Sequence, residues 1–246
     1  MKPDWGVFDR VYLLTCPVYE RARLPSMRAE LERVGLADRT EVLWCGKLPM
    51  LSRLMYSLRR DKALRTEEQF SLLWGHYRSV KIALARGASH VLVLEDDCRF
   101  LKDLDMLAGI MSSIPADYDY VQFEWTPWRP MLNCLKKDVI VEGGVPSWIR
   151  IRNEYTPFGA ACRAFSRKGM EWFSTQVERS LDESFSLRAA DCYAGFGGDF
   201  FPDKDVIGYL ANPVVAVQSR SLGRQMSVLN TCVDYRFGRS FDAYAE

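Results

Sequence analysis

The 246-residue sequence has only two histidines, and its seven cysteines are scattered without a Cys-x-x-Cys pair. We therefore expect neither a zinc site nor a disulfide framework, and we expect reduced thiols. No run approaches the roughly 18 apolar residues of a membrane span, and residues 1–10 lack the apolar core of a signal peptide. The formal net charge of +1 gives no basic field for nucleic acid. A cytoplasmic location is expected, with peripheral membrane association left open.

Several common nucleotide-binding and hydrolytic motifs are also missing. The first expected strand is not followed by a Gly-x-Gly-x-x-Gly turn, so a dinucleotide site has no support. There is no glycine-rich phosphate loop ending in Lys and Ser or Thr, which argues against P-loop NTPases. A Gly-x-Ser-x-Gly elbow is absent as well, which argues against the α/β-hydrolases. Carboxylates are the reactive groups that remain.

The pattern of apolar residues predicts an α/β domain. A strand over Arg10–Thr15 is followed by a helix that Gly35 ends, and then by a second strand over Glu41–Trp44. Strand, helix and strand in this order begin a parallel sheet. The buried face of the first helix is predicted to carry Leu24, Met27, Leu31 and Val34. We expect one domain over residues 1–246, with a loop-rich insertion at about 126–157 that contains a short strand, Val139–Val141.

Further elements follow along the chain. A helix with apolar residues at Phe70, Leu73, Val80 and Leu84 ends at Gly87, and a later one runs from Leu104 to Pro115. Alternation over Tyr118–Trp125 predicts a strand with one polar face, and small residues in Phe158–Phe165 predict a strand close to other backbone. Ser166 is expected to cap the next helix, and two last apolar runs cover Val206–Leu210 and Val214–Gln218.

Three consecutive carboxylates follow the most apolar strand. The run Val91–Leu94 does not alternate, which favours a strand buried on both faces, and Glu95, Asp96 and Asp97 come next. Open α/β sheets bind ligands at the carboxyl ends of their strands, and a divalent cation would relieve the repulsion there. If the strand continued, Glu95 and Asp97 would face one side and Asp96 the other. The alternative is an ordinary solvated acidic turn.

A second acidic segment lies at residues 189–205 and includes Asp191 and Asp199. Two separate carboxylate groups suggest a division of labour. One would hold Mn²⁺ or Mg²⁺ against a diphosphate leaving group, and the other would deprotonate an incoming hydroxyl. This combination is typical of transferases that use nucleotide sugars. His76 lies beside the apolar stripe of its helix, where a packing residue and a site residue are both plausible.

In its order of motifs, the sequence resembles glycosyltransferase family 25, which includes lipooligosaccharide galactosyltransferases and collagen galactosyltransferases. The resemblance runs from about Val11 to Gln218. It rests on six segments that occur in the family's order: VYLLTCPVYERAR, WGHYRSVKIALARG, HVLVLEDDCRF, FGAACRAFSRKGMEWF, the aspartate at Asp191, and YLANPVVAVQ.

The resemblance implies a GT-A fold, a Rossmann-like α/β/α sandwich with a mostly parallel central sheet. It also implies an inverting, metal-dependent hexosyltransferase. The expected donor is a UDP-hexose, commonly UDP-galactose, and the acceptor is a glycan or glycolipid such as a lipopolysaccharide precursor. Carried over by position, Glu95 and Asp97 become metal ligands, Asp191 the base and Asp199 its reserve. The donor-binding group comprises Thr15, Arg21, His76, Asp96 and Gln218.

The chain also departs from the family's pattern. Leu13 stands where the first strand usually carries Asn, Cys45 where the second usually ends in Asp, and Gly75 where Ser is usual. Two other functions therefore stay open. One is a metal-dependent nucleotidyltransferase or phosphohydrolase that uses the same carboxylates. The other is a non-catalytic relative that binds a glycan or a protein partner.

Overall fold

The computed structural model describes residues 2–17, 20–45, 67–124, 147–151, 159–183, 206–212 and 214–218. The helices are α1 (Glu20–Val34), α2 (Glu67–Ala85), α3 (Leu104–Ser112) and α4 (Arg167–Glu183), with a short 3₁₀ turn at Ala37–Arg39. The strands are β1 (Arg10–Thr15), β2 (Thr40–Trp44), β3 (His90–Glu95), β4 (Cys98–Phe100), β5 (Tyr120–Gln122), β6 (Ser147–Arg150), β7 (Cys162–Ser166), β8 (Gly208–Asn212) and β9 (Ala216–Gln218).

Among the described residues, seven strands form the central sheet, in the order β2-β1-β3-β7-β5-β8-β6. Strand β1 is parallel to β2 and β3, and β5 is parallel to β8. Strand β7 is antiparallel to both β3 and β5, and β6 is antiparallel to β8. Five of the seven strands therefore run in one direction, which confirms the predicted α/β class with a mostly parallel sheet. Strands β4 and β9 form a separate antiparallel pair.

Helices cover both faces of this sheet. The connection from β1 through α1 to β2 and the connection from β2 through α2 to β3 run in opposite directions along the sheet. Right-handed crossovers then place α1 and α2 on opposite faces. Helices α2 and α4 pack against each other. The centre of the sheet is buried: all four residues of Val91–Leu94 are 0 % exposed, as the non-alternating run predicted.

The two helix ends predicted from glycines agree with the structure, whereas several strands are shorter than predicted or shifted by a few residues. Gly35 and Gly87 follow α1 and α2 with φ of 80° and 74°, the left-handed conformation that glycine adopts at low cost. The polar face predicted for β5 is buried, and its Tyr120 hydroxyl donates there to Gln122 Oε1 at 3.0 Å. Strand β6 lies within the segment expected to be a loop-rich insertion, and the short strand expected at 139–141 lies outside the described residues.

Helix α4 begins tightly against the end of the loop before β5. Ser166 caps it as predicted, since its Oγ accepts the Gly169 backbone N–H at 3.2 Å. The Ser166 backbone N–H also donates to the Asp119 carbonyl at 3.0 Å. A Cβ atom on Gly169 would lie 1.8 Å from that same carbonyl oxygen. Only glycine lets the helix start so close to Asp119.

Candidate functional site

The carboxyl ends of the parallel strands bring polar side chains together. Strand β1 ends at Thr15, β3 ends at Glu95, and Glu124 lies two residues beyond β5. These strands run in the same direction, so the residues share one edge of the sheet. All three are nearly buried, with exposed fractions of 2 % for Thr15 and 5 % for each glutamate. Binding sites of open α/β sheets form at this edge.

Asp96 and Asp97 share a partner from α1. Arg23 donates from Nη1 to Asp96 Oδ1 at 3.0 Å and to Asp97 Oδ2 at 3.2 Å. The Thr15 hydroxyl donates to the other oxygen of Asp96 at 2.6 Å. Among the described residues, Asp97 Oδ1 is buried and accepts no hydrogen bond. We call Asp96, Asp97 and Arg23 the acidic cluster. Its charge is partly neutralised, and one carboxylate oxygen is left to accept a ligand.

Glu95 belongs to a different contact, on the side of α2. His76 Nε2 lies 3.0 Å from Glu95 Oε1, and Arg163 of β7 donates from Nε to His76 Nδ1 at 3.3 Å. His76 and Arg163 are both 0 % exposed. Arg163, His76 and Glu95 therefore form a buried chain of polar contacts that runs from the middle of the sheet to the start of the acidic cluster.

Burial controls the pKa values of these groups. It raises the pKa of Glu95 well above its usual range, and the charge of Asp97 adds to the rise. Burial also raises the pKa of Asp97 to about 6, against the lowering effect of Arg23. The pKa of His76 is held well below its usual range by burial and then by the charge of Arg163. Burial thus disfavours the charged form of both carboxyl groups, and a bound cation would favour it.

The structure brings together four of the residues that the sequence assigned to donor binding. Thr15 and His76 bond to Asp96 and Glu95 as described above. Gln218 of β9 pairs with Cys98, the residue after Asp97, so it also lies beside the acidic cluster.

Arg21 differs from this group, because its side chain is exposed on α1, whereas Arg23 bonds to the acidic cluster. The two residues expected to act on the acceptor side, Asp191 and Asp199, lie outside the described residues.

The expected alternation of the three carboxylates does not hold. Strand β3 ends at Glu95, and Asp96 and Asp97 form a turn before β4. Asp96 and Asp97 consequently contact the same guanidinium, while Glu95 faces His76. The alternation of strand side chains stops where the strand stops, so Asp97 is grouped with Asp96 and not with Glu95.

Three residues of this edge were missed from the sequence, namely Arg23, Glu124 and Arg163. Arg23 could have been found, since positions 23, 27, 30 and 34 lie on one face of a helix and the last three are buried. Glu124 follows a buried strand, as Glu95 ends one; its side chain accepts the Ala161 N–H at 3.2 Å. Arg163 carried no signal, because a charged residue within an apolar strand does not reveal which helix it contacts.

The structure shows where the three residues that depart from the family pattern lie. Leu13 was expected near the nucleotide side, but it lies inside β1, is 0 % exposed, and pairs with Val42 and Leu94. Cys45 does lie at the carboxyl edge, directly after β2, and its thiol contacts that of Cys16. Its sulfur also lies 2.3 Å from the position that a Cβ of Gly75 would take. The departures at Cys45 and Gly75 are therefore in contact.

A divalent metal can be tested against these residues. Among the described residues, no group of three or more His, Cys, Asp and Glu side chains could hold a metal ion. Asp96 and Asp97 do supply two carboxylates, and Asp97 Oδ1 has no hydrogen-bond partner. Mg²⁺ typically binds through one or two carboxylates, several waters and substrate phosphates. The residues fit an ion that binds together with a phosphorylated ligand.

Comparisons with known proteins add little to this picture. Neither family models nor curated sequences give a match. Among solved structures, mouse xyloside xylosyltransferase 1 in its apo form is similar over 76 % of each chain, with 11 % sequence identity and a TM-score of 0.36. A similarity this low carries no argument about activity. Within the described ranges, no helix is both long and apolar enough to cross a membrane.

Proposed function

We propose that this protein is an inverting, metal-dependent glycosyltransferase. It would transfer a hexose from a nucleotide diphosphate donor, a UDP-hexose in the simplest case, to a hydroxyl of a glycan or glycolipid such as a lipopolysaccharide precursor. The observation that carries the proposal is the pair Asp96 and Asp97 at the carboxyl edge of the sheet. One oxygen of this buried pair accepts no hydrogen bond from the described residues. The family resemblance of the sequence supports the same reaction.

The chain's own residues have distinct parts in this proposal. Thr15 and Arg23 fix the orientation of Asp96, and Asp97 keeps one buried oxygen that accepts no hydrogen bond from the described residues. Asp96 and Asp97 would hold Mn²⁺ or Mg²⁺. When bound, the ion supplies positive charge that stabilises the leaving nucleoside diphosphate. Gln218, which lies beside the acidic cluster, would contact the donor.

The acceptor is activated by a separate carboxylate. Asp191, with Asp199 as the reserve, would take the proton from the acceptor hydroxyl. The resulting oxygen attacks the anomeric carbon from the face opposite the diphosphate, the bond from that carbon to the diphosphate oxygen breaks, and the configuration inverts. This assignment comes from the resemblance, because both aspartates lie outside the described residues.

Thermal unfolding with sugar nucleotides tests the donor and metal together. We expect a UDP-hexose with Mn²⁺ to raise the melting temperature, and Asp97→Asn to remove most of that increase. Asp38→Asn is the matched control, since Asp38 is exposed just before the amino end of β2, at the opposite edge of the sheet. The control variant should respond like the wild type. No shift with any common uridine or guanosine sugar nucleotide would count against the proposal.

Product analysis then tests the reaction class. A glycosyltransferase releases the nucleoside diphosphate in step with a hydroxyl acceptor, and Asp191→Asn should lower that release. Free pyrophosphate would instead indicate nucleotidyl transfer, and free phosphate would indicate a phosphohydrolase. Ligand binding without turnover, with any acceptor in a broad glycan panel, would identify a binding protein.

A further inference from the structure

Arg163 is an unusual residue for the centre of a sheet. It lies in β7 between β3 and β5, and its side chain is 0 % exposed. The guanidinium carbon is 5.6 Å from the ring centre of Phe165 and 5.2 Å from that of Phe173. Taking a cation out of water costs several kcal/mol, and aromatic faces return roughly 2 kcal/mol or less each. A methionine would fill similar space without that cost.

The contact between Arg163 and His76 determines where the proton of the imidazole ring lies. Arg163 Nε carries a hydrogen at every accessible pH, so at 3.3 Å it donates to His76 Nδ1. Nδ1 must then be the unprotonated nitrogen of the ring. A neutral imidazole has one N–H, which is consequently on Nε2. A doubly protonated ring would set two donors against each other at Nδ1.

The assigned proton explains the next contact. With its hydrogen on Nε2, His76 donates to Glu95 Oε1, 3.0 Å away. Glu95 also donates its backbone N–H to the Ala161 carbonyl at 2.8 Å, so both its main chain and its side chain are fixed. Asp96 and Asp97 follow directly. The orientation of the Glu95 carboxyl group therefore depends on the Nε2 proton of His76. Arg163 of β7 determines that the proton is on this nitrogen.

We propose that Arg163 is a positioning residue for the acidic cluster: it holds His76 in the tautomer protonated at Nε2, and that N–H anchors Glu95 where β3 turns into the ligand-binding edge. The positioning role in turnover rests on the proposed function. The tautomer does not, because it follows from the contacts of the free protein. Outer contacts of this kind commonly change metal affinity or activity by about 10- to 100-fold when removed.

Nitrogen NMR of the wild-type protein tests the tautomer directly. The chain has two histidines, so labelling histidine with ¹⁵N gives two rings, and a His90→Gln variant assigns them. We expect His76 to show a protonated Nε2 and an unprotonated Nδ1 in the absence of any ligand. A His76 ring protonated at Nδ1, or at both nitrogens, would overturn the inference. This measurement requires neither metal nor donor.

A Glu95→Gln variant separates the influence of the two neighbours of His76. If Arg163 sets the tautomer, the Nε2-protonated form persists when an amide replaces the Glu95 carboxyl group. If Glu95 sets it, the variant shows a mixture or the opposite tautomer, and the inference fails. In Arg163→Met, which keeps the side-chain volume, we expect the signals of both tautomers.

Steady-state kinetics test the positioning role of Arg163 separately. We expect Arg163→Met to lower kcat/KM for the sugar nucleotide by about 10- to 100-fold, with Arg150→Met, an exposed arginine of β6, as the matched control that keeps wild-type rates. A folded Arg163→Met protein with unchanged kcat/KM would refute the positioning role. If no sugar nucleotide reacts with the wild type while His76 has the expected tautomer, the proposed function fails and the tautomer assignment stands.

Discussion

At the scale of single residues, Arg23 has a function that a bound ion would share. Its guanidinium bridges Asp96 and Asp97, with side-chain exposures of 16 %, 6 % and 15 % in that order. Two aspartates this close would repel each other without a cation between them. Arg23 therefore stabilises the acidic cluster when no ligand is bound, and a divalent ion at the same carboxylates would compete with it.

Replacing Arg23 with Gln separates these two effects. We expect Arg23→Gln to lower the free energy of unfolding by about 3 kcal/mol, because it leaves two partly buried carboxylates without their counterion. Mn²⁺ should then raise the melting temperature of this variant more than that of the wild type, since the ion no longer competes with the guanidinium. Urea unfolding and thermal melts, with and without Mn²⁺, measure both quantities.

Arg21→Gln provides the control on the same helix, because Arg21 is exposed. It should change stability by less than about 0.5 kcal/mol and respond to Mn²⁺ like the wild type. Equal Mn²⁺ shifts in Arg23→Gln and in the wild type would mean that the ion does not bind at these carboxylates.

At the scale of elements, the start of α4 reverses a rule of helix propensity. Alanine is favoured over glycine inside a helix by about 1 kcal/mol. At Gly169, however, the added Cβ would meet the Asp119 carbonyl oxygen at 1.8 Å, and that oxygen already accepts the Ser166 N–H. The helix would have to move away from the sheet to admit a methyl group.

We therefore expect Gly169→Ala to destabilise the protein by about 3 kcal/mol, opposite in sign to the propensity effect. Chemical denaturation followed by far-UV circular dichroism measures the change. Arg167→Ala, at an exposed position in the same turn, should alter stability by no more than about 0.5 kcal/mol. An unchanged or raised stability in Gly169→Ala would show that α4 does not pack this closely on Asp119.

The elements themselves could be predicted well from the sequence, and the contacts between them less so. Strands β1 and β3 follow from their apolar runs, and the end of α1 follows from Gly35, because these signals are local. The antiparallel position of β7 between β3 and β5 could not be predicted, since strand order depends on pairings distant in sequence. The same limit explains the site: Glu95, Asp96 and Asp97 were visible as a motif, whereas Arg163 contacts His76 only through the fold.

At the scale of the whole molecule, the two edges of the sheet differ in the polar contacts that they carry. The carboxyl edge carries the acidic cluster, whereas hydrogen bonds connect neighbouring strands at the amino edge. Asp9, just before β1, accepts the backbone N–H groups of Ser89 and His90 at 2.7 and 2.9 Å. Asp9 thereby connects the starts of β1 and β3. Its pKa is lowered from the usual value, chiefly by the His90 hydrogen bond.

The hydrogen bonds and lowered pKa of Asp9 predict how the stability of Asp9→Ala depends on pH. A carboxyl group with a lowered folded-state pKa stabilises the protein above its unfolded-state pKa, and this stabilisation is lost as the pH falls through the folded-state value. We expect Asp9→Ala to lose about 1 kcal/mol at neutral pH, and the difference from the wild type to shrink below about pH 4. Urea unfolding across this pH range measures it.

Ligand responses provide the control for Asp9→Ala. The increase in melting temperature with Mn²⁺ and sugar nucleotide should match that of the wild type, because Asp9 lies at the opposite edge. A smaller ligand response in Asp9→Ala would show that the two edges are coupled. A stability difference that does not change with pH would show that the Asp9 charge contributes nothing to the link between β1 and β3.

The contact between Cys45 and Gly75 constrains how this protein can have evolved. The sulfur of Cys45 occupies the space that a side chain at position 75 would need, so a side chain at 75 requires that sulfur to move or to be absent. A serine at 75 would therefore fit only if the Cys45 thiol rotated away or a smaller residue stood at 45. Among related sequences, the two positions should covary, with glycine at 75 accompanying cysteine at 45. Gly75→Ser alone should be among the least tolerated single changes near the site.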